Sequence, residues 1–174
     1  MKKILVSLFA VGVFAGCNSP KPEATTEVAA EPKPIEISDA KYIEIGKKSL
    51  TSLAQGNVDD FVADYGDNAK FYWSGGDSLV TKSAILAYWK DRRANIIDTI
   101  AFKTDIWLPV KVNQGPPTPG IWLLSWADFS VRYKNGKSVN MWIHHVFHFD
   151  DNGKIDFATQ YVDRAPIQAA LAAK

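Results

Sequence analysis

All three histidines of this 174-residue chain fall in one short window, as His144, His145 and His148. On a helix that spacing would crowd one face and suggest a metal site. The window instead alternates apolar and polar residues and lies between two turn dipeptides, Asn135-Gly136 and Asn152-Gly153, so it reads as a strand. Successive strand side chains point to opposite faces, which sets His145 against the other two. His144 and His148 share a face but stand about 13 Å apart along the strand, too far for one metal ion. The chemistry left is proton transfer. An inward imidazole beside a carboxylate can act as general acid or base near neutral pH.

Register decides which carboxylate that is. If Asn135-Gly136 is a two-residue turn, Trp126 faces His145 and Asp128 faces Ile143, leaving Asp128 diagonal to His145. If Asn152-Gly153 is likewise a turn, His145 faces Gln160. A bulge in either turn would break this register. Under it, one face carries Leu124, Trp126, Asp128, Ser130, Met141, Ile143, His145, Phe147, Ala158, Gln160 and Val162. The opposite face carries Leu123, Ala127, Phe129, Trp142, His144, Val146, His148, Phe157, Thr159 and Tyr161. Both faces are apolar enough to be buried, so periodicity does not choose between them. A catalytic His145–Asp128 pair walled by aromatic residues is one reading. A hydrogen-bonded polar cluster that fixes the fold is the other.

The elements that position this window are legible from periodicity. Ser38 is a plausible N-cap for a helix to about Gln55, ended by Gly56. A short helix follows from Asn57, then a strand over 68–74 and a Gly75-Gly76 turn. Thr81 or Ser83 caps a third helix to about Asn95. The pattern then changes to period 2, with strands predicted over 100–112, 121–134, 137–149 and 155–163. Helices first and long strands afterwards give an α+β domain. Six tryptophans suit either core filling or an aromatic-lined pocket. Arg92 and Arg93 read as a solvated charged helix end.

The segments LAQGNVDDFVADYGDNAKFYW, TKSAILAYW and HVFHFDDNGKIDFATQYVD resemble the nuclear-transport-factor-2-like superfamily, which includes SnoaL-like and ketosteroid-isomerase-like proteins. The resemblance covers about residues 39–163. It implies a cone-shaped, curved antiparallel sheet wrapped around N-terminal helices, with the His145 face looking into the cone. His145 and Asp128 are then the catalytic candidates, of a dehydratase, isomerase or cyclase type needing no cofactor or metal. Trp73, Trp126, Ser130, Met141, Phe147 and Gln160 are the pocket candidates. The isomerase residues themselves are replaced: His145 stands where the family has a carboxylic acid, Ser49 where it has a tyrosine, and Trp73 where it has the carboxylate base. The outer face implies a homodimer, unless the C-terminal RAPIQAALAAK covers it. The rival to a ligand-binding cone is a non-catalytic envelope interaction module whose cone is filled by its own side chains.

The first 37 residues read separately. Lys2 and Lys3 precede an apolar run from Ile4 to Gly16, a signal peptide too short to span a bilayer. The run ends Phe14-Ala15-Gly16-Cys17, which resembles the lipobox of bacterial lipoproteins, with Phe14 where leucine is usual. Residues 1–16 are thus the expected signal, and residues 17–37 a lipidated Cys17 plus a Pro/Glu/Ala-rich tether. Residues 38–174 are the expected domain. The resemblance implies attachment to the bacterial cell envelope, and Asn18 favours the outer membrane. The single cysteine can form neither an internal disulfide nor a cysteine-rich metal site. With 20 Lys+Arg against 19 Asp+Glu, no basic footprint for nucleic acid exists.

Overall fold

The computed structural model describes residues 33–115 and 118–172, the side chains of 104 and 105 excepted. The expected signal peptide, Cys17 and most of the expected tether lie outside the described residues. The order of elements is β1 (Ile35–Ile37), α1 (Lys41–Gln55), α2 (Val58–Phe61), β2 (Tyr65–Trp73), β3 (Ser78–Val80), α3 (Lys82–Asp91), β4 (Ile97–Val112), β5 (Gly120–Tyr133), β6 (Ser138–Phe149), β7 (Ile155–Tyr161) and α4 (Arg164–Ala172). The seven strands form one sheet in the order β1-β4-β5-β6-β7-β2-β3. Every neighbouring pair is antiparallel except β2–β7, which is parallel.

The folded part starts earlier than expected. Ile35–Ile37, placed in the tether on composition, pairs with Val110–Val112 at the edge of the sheet. Ser38 does not cap α1, which starts at Lys41 with Ala40 in the cap position; the Ser38 N–H bonds to the Pro109 carbonyl of β4. The Asp39 carboxylate instead accepts from the Lys41 N–H at 2.8 Å. At the other end Gly56 adopts φ +86° and closes the helix. Thr81 caps α3 by accepting from the Ala84 N–H at 3.2 Å.

The β5–β6 hairpin corrects the expected register by one residue. The Tyr133 N–H bonds to the Lys137 carbonyl and the Gly136 N–H to the Tyr133 carbonyl, so the loop has three residues, Lys134-Asn135-Gly136. Gly136 supplies the positive φ that this loop needs, at +85°. Trp126 therefore faces His144, Ser125 faces His145, and Asp128 faces Trp142. A slip of one residue exchanges the faces of a strand. Leu123, Ser125, Ala127 and Val131 are buried inward, while Trp126, Asp128 and Ser130 go to the outer face.

The β6–β7 hairpin has the same kind of loop, Asp151-Asn152-Gly153. Here a bulge between His148 and Phe149 restores the count, and His145 faces Gln160 as expected. Leu50 and Leu53 of α1, Phe61 of α2 and Ile85 and Trp89 of α3 pack with Leu123, Phe147 and Ala158 of the sheet. Gly46 lets α1 lie close: a Cβ there would stand 2.5 Å from Leu123 and 2.7 Å from Trp107.

Candidate functional site

A cavity of about 360 Å³ occupies the cone, within the size range of small-molecule sites. Its walls are mostly apolar, and the aromatic share comes from Trp73 of β2, Tyr88 and Trp89 of α3, Phe102 of β4, and Phe129 and Tyr133 of β5. Trp73 packs on Tyr88 at 5.1 Å between ring centroids, and Tyr88 on Trp89 at 5.4 Å. The cone is therefore not filled by its own side chains. The C-terminal helix does not cover the outer face of the sheet either; Ile167, Gln168 and Leu171 of α4 line the cavity mouth. Arg164 of α4 forms an ion pair there with Asp77, between β2 and β3.

Of the two arginines that line this cavity, Arg164 is paired with Asp77 and Arg92 is not paired with a carboxylate among the described residues. The α-helical pattern of α3 stops at Asp91, and residues 92–96 form a single wide π turn closed by the Ile97 N–H on the Arg92 carbonyl. Such turns re-aim side chains and recur at functional sites. Arg92 lines the cavity. Its Nε donates to the Tyr88 hydroxyl at 2.9 Å, and its guanidinium stands 5.0 Å from that ring's centroid. Among the described residues no carboxylate pairs with it. Burial pushes the Tyr133 phenol above its ordinary range, and the charge of Arg92 opposes that shift. Arg93, by contrast, donates to the backbone carbonyls of Ala54 and Asp98. The adjacent arginines expected to form one solvated end are thus divided. No pattern within DRRAN announces that division.

Gln160 also lines the cavity and is 6% exposed. It belongs to a row that crosses five strands, Trp107–Ser125–His145–Gln160–Trp73, each residue the partner of the next. His145 is 1% exposed and neither ring nitrogen has a hydrogen-bond partner; the Ser125 hydroxyl and the Trp107 N–H are likewise without one. Burial pulls the His145 pKa down to about 3, with the nearby His144 adding to the effect. The ring is therefore neutral at physiological pH. Phe102 stands edge-on to it at 5.6 Å, and His145 is not part of the cavity wall.

The expected pairing of His145 with Asp128 is not made. Asp128 lies on the outer face, between Lys103 and Trp142 on the neighbouring strands. Trp126 is also outside, stacked on His144 at 4.5 Å, and Ser130 faces Asn140. Met141 and Phe147 are inward as expected but pack into the core instead of lining the cavity. Trp73 and Gln160 are the two expected pocket residues that line it.

On the outer face, His144 Nδ1 lies 2.9 Å from the Ser125 carbonyl, and its ring is held between Trp126 and Tyr161. His148 Nδ1 lies 2.6 Å from the Asp156 carboxylate, against Trp122. Trp142 and Tyr161 are 58% and 53% exposed.

No family model matches the sequence, and no curated protein matches it. Solved structures do match. A nuclear transport factor 2-like protein from Burkholderia pseudomallei aligns with TM-score 0.59 at 14% identity, over 75% of this chain and 97% of that one. An LEH-like epoxide hydrolase from M. tuberculosis aligns with TM-score 0.56 at 16% identity, over 76% and 90%. A protein from Shewanella denitrificans, named as a candidate SnoaL-like polyketide cyclase, aligns with TM-score 0.58 at 14% identity, over 78% and 100%. The chain has the nuclear transport factor 2-like cone fold that these proteins share.

Proposed function

We propose, from this cone fold and its cavity, that the protein binds a small amphipathic molecule. The apolar body of the ligand packs against Trp73, Trp89 and Phe129, and its polar or anionic group meets Arg92 and Gln160. The observation that carries this reading is Arg92, a cation with no carboxylate partner among the described residues, in a largely apolar cavity. Such a charge is stabilised by an anion that enters with the ligand. Acid–base catalysis by His145 and Asp128 is not part of the reading, since the two side chains leave opposite faces of the sheet.

Anilinonaphthalene sulfonate, an aromatic ring system with one anionic group, is a suitable probe. The expected result is saturable binding at one site, weakened at least tenfold by Arg92→Gln in a protein of unchanged circular dichroism. Equal binding by the two proteins would overturn the assignment.

Two further proposals concern placement and assembly. Lipidation of Cys17 would hold the domain at the cell envelope, on the strength of the signal-like segment before it. A Cys17→Ser protein should then leave the membrane fraction, and an unmodified residue upstream of Cys17 in the mature chain would refute the anchor. The outer sheet face, with Trp142 and Tyr161 exposed, supports a homodimer.

A further inference from the structure

A second cavity, of about 310 Å³, lies between α1 and β4. Ala54 and Thr51 of α1 and Ala101, Trp107 and Ala127 of the sheet line it. Ile100 and Phe102 are walls of both this cavity and the first. Phe102 is half-buried and its ring rests edgewise on His145 and at 5.5 Å on Phe129. It sits next to a break in the β4–β5 register, between Lys103 and Asp105. Turning the ring about its own side-chain bonds breaks no hydrogen bond, because a phenyl group makes none.

We propose that the two cavities are one site for an elongated, acyl-chain carboxylate, with Phe102 as the movable partition between them. The inference rests on the reading of the first cavity as a ligand site and names the class of ligand it takes. The carboxylate meets Arg92 at the first cavity, and the chain passes Phe102 to end against Ala54, Trp107 and Ala127. Arg92 sets that direction, since it lines the first cavity without a carboxylate partner among the described residues, whereas Lys47, the cation lining the second, is already engaged.

Calorimetric titration with saturated carboxylates from hexanoate to palmitate tests this. Each methylene buried strengthens binding by up to about fourfold. In the wild type the gain should continue well past the length at which Phe102→Trp levels off. Ala54→Phe, which fills the second cavity from the helix side, should level off early as well. Should Phe102→Trp fail to fold, the Ala54→Phe comparison decides alone. Levelling at the same short length in all three proteins would show that the cavities are separate and overturn the proposal. Failure of every carboxylate to bind the wild type, or indifference of hexanoate to Arg92→Gln, would instead overturn the reading of the first cavity.

Discussion

Ser125 and His145 face one another across β5 and β6, both buried, and neither side chain has a hydrogen-bond partner. Buried polar groups are ordinarily paired, and an unpaired one costs about 1–3 kcal/mol. Their placement follows from one extra residue in the loop that joins the two strands. The same residue removed Asp128 from the cone and left the imidazole in apolar company.

The sign of the pH dependence follows from His145. Its pKa falls from 6.5 to about 3 on folding, so the unfolded chain binds more protons between those values. The contribution is fully present above pH 6.5 and is lost as pH falls toward 3, at up to about 1.4 kcal/mol per pH unit. Denaturant unfolding across this range should show the slope, and His145→Leu should flatten it. At pH 7 the same substitution should stabilise the fold by about 1 kcal/mol, because it removes an unpaired polar group. A loss of 2 kcal/mol or more would contradict that.

Gly120→Ala should destabilise the protein by about 1–3 kcal/mol. The glycine has φ +139°, and a Cβ there would stand 2.4 Å from His148 Nε2. Moving the imidazole aside would break its contact with Asp156. Thermal unfolding of the variant measures the effect, and an unchanged midpoint would refute it.

The ion pair between Arg164 and Asp77 ties α4 to the turn after β2. Both side chains are well exposed, at 39% and 60%, so Asp77→Asn should change global stability by less than about 1 kcal/mol. The expected effect is local. Amide exchange over residues 164–172 should speed up while the sheet core is unaffected.

Trp142→Glu puts a charge in the middle of the exposed outer face. If a second copy covers this face, the wild type sediments as a dimer and the variant as a monomer at the same concentration. A wild type that remains monomeric at every concentration would rule the dimer out.

Much of the architecture was legible because long strands alternate and the Asn-Gly dipeptides mark their turns. The dipeptide did not fix the length of its loop: Asn135-Gly136 closes a three-residue loop, the next commonest hairpin connection after the two-residue one. With Trp126 and Leu124 as apolar as Ala127 and Leu123, no polarity contrast existed to correct the count. In the second hairpin a bulge at His148 compensated, and the His145–Gln160 pairing came out as expected. Trp73 and Gln160 were recoverable from register and resemblance. Arg92 was not, because its direction depends on a π turn that exposed helix-end residues do not announce. Ile35–Ile37 is too short and too close to the prolines to read as a strand, although β4 pairs with it.

The parallel pairing of β2 with β7 has a consequence for the order of assembly. Trp73 and Gln160, side by side on the cavity wall, are separated by most of the folded chain. Closing so long a loop is entropically costly and slow compared with forming the β4–β5–β6 hairpins. The hairpins can therefore form before the wall is complete. As the chain is synthesised from its N-terminus, the cavity wall is complete only after the last strand is delivered, so anything the cavity held could reward the finished fold but not nucleate it.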